Sequence, residues 1–278
     1  MFNFSQVKKV LKNILPKKIF LFIYNRFNLI KIPLDSNSVV SDLFPFKILN
    51  EWETSFELLN IPKLIDPSEE NYKKYKITLL FFDENGNLFL KRDINKVDGA
   101  RHTININELI KNESISGYGT FACFHRCILP NLESDGGFLA ERGYTGYTNS
   151  NFSNVKGFVH GNLDALAMNK EGKLKCLGGS FIFQKYEFRL QHQLVGPATY
   201  EFGFVNTSNS KKSISLEIIS NIRSNFKEKK LVLSKGIVWF SYNLDRNEKA
   251  RVIVYSNLNL PRPVVFRIEN NSFDVFHG

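Results

Sequence analysis

The chain has 278 residues, 43% of them hydrophobic and 23% charged, a composition that suits a folded protein and excludes a disordered or collagen-like one. Its net charge is +10, but residues 1–34 hold seven Lys and Arg and no acid, which leaves only +3 for everything after them. The body is therefore close to neutral, and nucleic acid is not an expected partner, because that would call for a basic body. Three cysteines, Cys123, Cys127 and Cys176, are too few for a disulfide framework. Cys123 and Cys127 lie four apart in one apparent strand, about 13 Å by strand rise, which is beyond disulfide reach. Reduced thiols and a cytoplasmic setting are the expectation.

In chain order, the first feature is a one-faced helical pattern. Val7, Val10, Leu11, Ile14 and Leu15 recur at helical spacing until Pro16, and an apolar run from Ile19 to Tyr24 follows. The run is too short to span a bilayer, and no small-residue cleavage site follows it, so a secretory signal is not expected. A basic, Phe/Leu/Ile-rich amphipathic segment suits an anionic membrane surface; docking on the body or on another subunit is the alternative. The stretch VKKVLKNILPKKIFLFI resembles the openings of bacterial glycosyltransferases and sugar methyltransferases from surface-polysaccharide gene clusters. That resemblance covers about a tenth of the chain. It implies a setting, peripheral at the inner membrane face, and carries no catalytic residue.

Residues 35–75, with Pro45, Pro62 and Pro67, read as a connector with a short helix around Trp52–Leu59. Strand signals begin at Lys76, where KITLLFF and LFLKR flank an Asn85-Gly86 turn, a strong hairpin pattern. Short strands and polar turns then continue to the end: 102–106, 119–128, 156–160, 173–179, 181–194, 199–206, 214–219, 230–234, 236–244, 251–256, 264–268 and 273–276. A further helix is expected near 107–111. The fold class is mostly β, with β-sandwich or jelly-roll architecture over residues 76–278, preceded by the amphipathic helix. A faint echo between 76–130 and 213–263 fits either two related sandwich halves, 76–160 and 161–278, or chance similarity among strands.

Nucleotide-binding, kinase, hydrolase-elbow and zinc-finger motifs do not occur in the sequence. Chemistry-bearing residues concentrate in 117–206. His125, His160 and His192, with a carboxylate such as Glu141, form a candidate set for a divalent transition metal in a jelly roll. Strand alternation turns His125 and His192 inward, where each needs a partner. Ordinary half-buried histidines are the alternative, and the cofactor is then none. A second constellation suits a glycan or sugar-containing ligand: Glu141, Arg142, Tyr144, Tyr147, Asn162, Asp164, Tyr186, Gln191 and Gln193. Aromatic faces meet sugar C–H surfaces and planar polar groups meet hydroxyls; the alternative is surface tyrosines and turn-forming Asn and Asp. Arg262, held extended between Pro261 and Pro263, is a candidate partner for an anion. Three readings stay open: a glycan-binding module, a metal-dependent jelly-roll enzyme, and a structural or assembly protein.

Overall fold

In a computed structural model the described residues are 14–16, 19–20, 38–60, 76–94, 99–126, 140–141, 143–152, 155–180, 185–259 and 262–278. The amphipathic segment expected over 1–34 lies almost wholly outside them. Among the described residues no helix is long and apolar enough to cross a membrane.

The body is mostly β. In chain order the strands are β1 (Val39–Lys47), β2 (Trp52–Leu59), β3 (Lys76–Asp83), β4 (Leu88–Ile94) and β5 (Arg101–Asn105), then the five-residue helix α1 (Ile106–Ile110). They continue with β6 (Tyr118–Arg126), β7 (Ala140–Glu141), β8 (Tyr144–Asn149), β9 (Gly157–His160), β10 (Asn162–Met168) and β11 (Leu174–Cys176). The C-terminal part holds β12 (Tyr186–Arg189), β13 (Leu194–Val195), β14 (Ala198–Val205), β15 (Lys212–Ser220), β16 (Phe226–Val232), β17 (Ile237–Leu244), β18 (Lys249–Ser256), β19 (Val264–Glu269) and β20 (Ser272–His277).

These strands form four sheets in a propeller-like arrangement, which replaces the expected sandwich or jelly roll. Sheet I has the order β11-β10-β1-β6-β3-β4, with β7 also on β1; sheet II is β5-β2-β8-β9; sheet III is β17-β14-β19-β20; sheet IV is β12-β18-β15-β16, with β13 also on β18. The physical reason lies in which faces are apolar. A sandwich sheet buries one face, but sheets I and III bury both. In β3, Ile77, Leu79 and Phe81 pack with Phe56 and Leu58 of sheet II, while Leu80 and Phe82 pack on the opposite side with Leu166, Met168 and Ile237. In sheet III, Tyr200, Phe202, Phe204 and Val265 face sheet IV, whereas Val264, Phe266 and Phe273 face Trp52, Tyr147 and Val159 of sheet II. Runs buried on both faces read as continuously apolar, as KITLLFF does.

The stretch expected to be a connector supplies β1 and β2, and Trp52–Leu59 is a strand, not a helix. Its burial alternates with a period of two, Trp52, Thr54, Phe56 and Leu58 facing in. Pro45 is tolerated within β1 because pairing with β10 stops at Leu43, so β1 is an edge on that side where Pro45 occurs. The 83–87 turn forms as expected. Gly86 has φ +79°, Asp83 Oδ1 accepts from the Asn87 N–H at 2.8 Å, and a Cβ at Gly86 would lie 1.9 Å from the Ser234 carbonyl oxygen.

Three sheets meet around one cation. Lys47, at the end of β1, pairs with Glu201 of β14, and its Nζ lies 4.6 Å from the Trp52 ring, 5.0 Å from Phe266 and 5.5 Å from Trp239. Burial pulls the Lys47 ammonium below the usual lysine range, and Glu201 opposes that pull. Gly203 makes the arrangement possible: a Cβ there would lie 2.7 Å from the Trp239 ring.

Candidate ligand-binding cleft

The cleft is built by a mismatch in register. β12 and β13 both run antiparallel to β18, with Arg189 opposite Ile253 and Leu194 opposite Ala250. Four residues, 190–193, therefore face only Arg251 and Val252. The surplus cannot lie flat, so the segment arches off the sheet as an enlarged bulge, the kind of irregularity that re-aims side chains. One bond keeps it anchored, from the Leu190 N–H to the Val252 carbonyl at 3.1 Å. At its far side the Tyr200 hydroxyl bonds the Val195 backbone at 3.1 Å.

Between the arch and the strands lies a cleft of about 280 Å³, lined by Arg189, Gln191, His192, Gln193 and Arg251 with Leu190, Ile219, Val252 and Ile253. It adjoins a second hollow of about 290 Å³ that adds Ser220, Asn221 and Lys249 and shares Gln193, Ile219 and Arg251. Gln191, His192 and Gln193 are exposed, and the His192 ring lies 4.7 Å from that of Phe276. Apolar walls with convergent planar amides and guanidinium groups are the usual make-up of a small-ligand site.

A polar hub fixes the end of the floor. Glu248 is fully buried; its carboxylate accepts from Ser220 Oγ at 2.6 Å, the Asp245 N–H at 2.9 Å and the Tyr242 hydroxyl at 3.3 Å, and it faces Arg223. Burial, then the nearby Glu248 charge, raises the Tyr242 hydroxyl above its usual range. The Lys249 N–H donates to Asn221 Oδ1 at 2.7 Å, which aligns the β15 and β18 ends.

The structure places the other expected site residues elsewhere. His125 is buried in β6 opposite Ile77, inward as alternation suggested. His160 is exposed on β9, its ring 4.3 Å from Tyr144. His192 is not inward, because β12 ends at Arg189 and the strand expected over 181–194 breaks there. Among the described residues no group of three or more His, Cys, Asp or Glu is able to hold a metal ion, so the three histidines are not a ligand set. Tyr186 packs against Phe188, and Tyr147 is fully buried with its hydroxyl donating to the Pro45 carbonyl at 2.7 Å; neither lines the cleft. Arg142 lies outside the described residues, as do the side chains of Glu141, Asn162 and Asp164.

Tyr144, His160 and Arg262 do come near one another, around a residue the sequence did not single out. His277 places Nε2 2.9 Å from the His160 carbonyl oxygen and Nδ1 3.3 Å from that of Pro263. Burial holds this imidazole below the usual histidine range, and the Arg262 and His160 charges act in the same direction. The contact joins β20 of sheet III to β9 of sheet II; its role is to tie the last strand down.

Of the glycan constellation, Gln191 and Gln193 lie in the cleft with His192. Arg189, Arg251, Lys249, Asn221 and Ile219 were missed. The signal for Lys249 and Arg251 is present in the alternation of KARVIVYS, whose odd members are exposed or half-exposed and whose even members are buried, but nothing in one strand says which neighbour faces it. Comparison of the chain with protein-family models, with curated proteins and with solved structures finds no match in any of the three.

Proposed function

We propose that this chain is a glycan-binding β protein of bacterial cell-surface carbohydrate metabolism, held at the inner face of the membrane by its basic segment 1–34. Its ligand, a glycan or sugar-containing molecule, enters the cleft under the 190–193 arch. The observation that carries this reading is the convergence of Gln191, Gln193, Arg189 and Arg251 over apolar walls in one cleft. Amide and guanidinium groups are planar and offer the paired donors and acceptors that sugar hydroxyls need. The walls supply apolar contact for C–H surfaces. Membrane attachment is supported by the seven cations and absence of acids in 1–34. The metal-enzyme reading is not carried forward, because it needs His125, His160 and His192 to share an ion.

A glycan array probed with the full-length chain tests the proposal. The wild type is expected to retain a defined subset of glycans, and Gln191→Ala/Gln193→Ala to lose them while unfolding at the same temperature. A wild type that retains none, or a variant that binds as well, overturns the proposal.

A further inference from the structure

We infer that the saccharide is anionic, its carboxylate or phosphate seated between Arg189 and Arg251. This rests on the glycan reading above and adds the charge of the ligand. The residues lining the cleft and the adjoining hollow include Arg189, Lys249 and Arg251 and no Asp or Glu. Those cations are not a general property of the body, which after residue 34 has a net charge of only +3.

The outer face of sheet IV shows where the imbalance lies. β15, β16 and β18 bury alternate residues, so Glu217, Lys227, Lys229, Lys249, Arg251 and Tyr255 share the solvent face. Its acids are already engaged. Glu187 holds Arg189 at 2.8 Å, and Glu217 holds Lys227 at 3.5 Å. Arg251 and Lys249 make no ion pair among the described residues, and they sit two apart on one strand, with their side chains on the same face. Two like charges so placed repel each other, and a bound anion relieves the repulsion. The Arg189–Glu187 pair is solvent-exposed and therefore weak, so a ligand carboxylate or phosphate can take over the guanidinium at little cost. Arg251 offers a planar fork that matches either anion in a bidentate way.

Tyr255 lies two residues beyond Ile253 on the same face, with Lys227 Nζ 5.1 Å from its ring. Its hydroxyl lies beside the Glu217 and Glu187 carboxylates, so it suits the C–H face of a neutral sugar further along the chain and not the anionic group itself. The fit is to a saccharide with one negative group in the cleft and a C–H face on Tyr255.

Titration calorimetry on the full-length chain, with three probes, tests this: a galacturonate trisaccharide, the neutral galactose trisaccharide and a hexose 1-phosphate. A charged probe is expected to bind at least about tenfold more tightly than the neutral one, with the difference shrinking as salt rises. Arg251→Gln is expected to remove that tenfold preference for the charged probe, and Lys249→Gln to reduce it. Whichever of the uronide and the phosphate binds more tightly identifies the anion. Equal binding of charged and neutral probes, or a preference for the charged probes that Arg251→Gln leaves unchanged, overturns the inference and leaves the glycan reading standing. Binding of no saccharide, or of anionic vesicles alone, overturns both.

Discussion

Replacing Lys47 with Met tests whether the junction of sheets I, II and III depends on its caged cation. Lys47 has 10% of its side chain exposed and Glu201 27%. Removing one partner from a buried ion pair costs ~3–5 kcal/mol, because the other charge is left without compensation. Glu201 keeps some water, so we expect ~2–4 kcal/mol for Lys47→Met. The methionine fills most of the space of the lysine stem, so a cavity adds little. The second half of the test is Lys47→Met/Glu201→Gln, which removes the stranded charge. It should recover to within ~1 kcal/mol of the wild type, a coupling visible in a double-mutant cycle. Urea unfolding followed by tryptophan fluorescence suits the site, since Trp52 and Trp239 flank Lys47. A Lys47→Met protein as stable as the wild type would refute the reasoning, and so would a double variant no better than the single.

Three further outcomes are expected. Glu248→Ala leaves Ser220, the Asp245 N–H and Tyr242 without their acceptor, while Arg223 keeps its pair with Asp245, and should cost ~2–4 kcal/mol, with saccharide affinity falling as the floor loosens; thermal unfolding and calorimetry report the two effects. Burial raises the Tyr147 hydroxyl far above its ordinary value of 10.0. Above that pH the unfolded chain releases a proton that the folded chain keeps, so stability falls as pH rises, by about 1.4 kcal/mol per pH unit from this group. Tyr147→Phe should flatten that part of the pH profile and cost ~1–2 kcal/mol at neutral pH for the unpaired Pro45 carbonyl. Changing the seven Lys and Arg of 1–34 to Gln in the full chain should abolish sedimentation with phosphatidylserine vesicles; unchanged sedimentation would remove the membrane claim.

What the sequence made legible was local. The 83–87 turn, the strands from β14 onward except β16, which begins at Phe226 and not at Lys230, and the helix near residue 107 follow from turn chemistry, alternation and an Asn105 side chain that accepts from the Glu108 N–H at the helix start. β1 was hidden because Pro45 and the fully buried Ser41 and Asp42 interrupt its apolar pattern. β2 was hidden because WETSFELL carries two acids that read as a helix surface, whereas Glu53 and Glu57 simply alternate with the buried members. The sandwich expectation failed on a non-local property: no single strand states that both faces of its sheet will be covered.

The site divides in the same way. Gln191 and Gln193 are visible as amides at the end of a run, and they share the arch because only His192 separates them in sequence. Arg251 and Ile219 join them only through the register of β18 with β12 and β15. His192 was misplaced because alternation was carried past the point where β12 ends. His277 meets His160 across a separation of 117 residues, which no periodicity encodes.

Glycan binding under the 190–193 arch must register at Gln191 and Gln193, which line the cleft. The most direct measurement is an NMR titration of the full chain, with glutamine side-chain amides labelled with nitrogen-15, against the glycan retained best on the array. Saturable shifts of the Gln191 and Gln193 side-chain amides are expected. Gln191 and Gln193 amides that stay unmoved at saturating glycan would contradict glycan binding in this cleft.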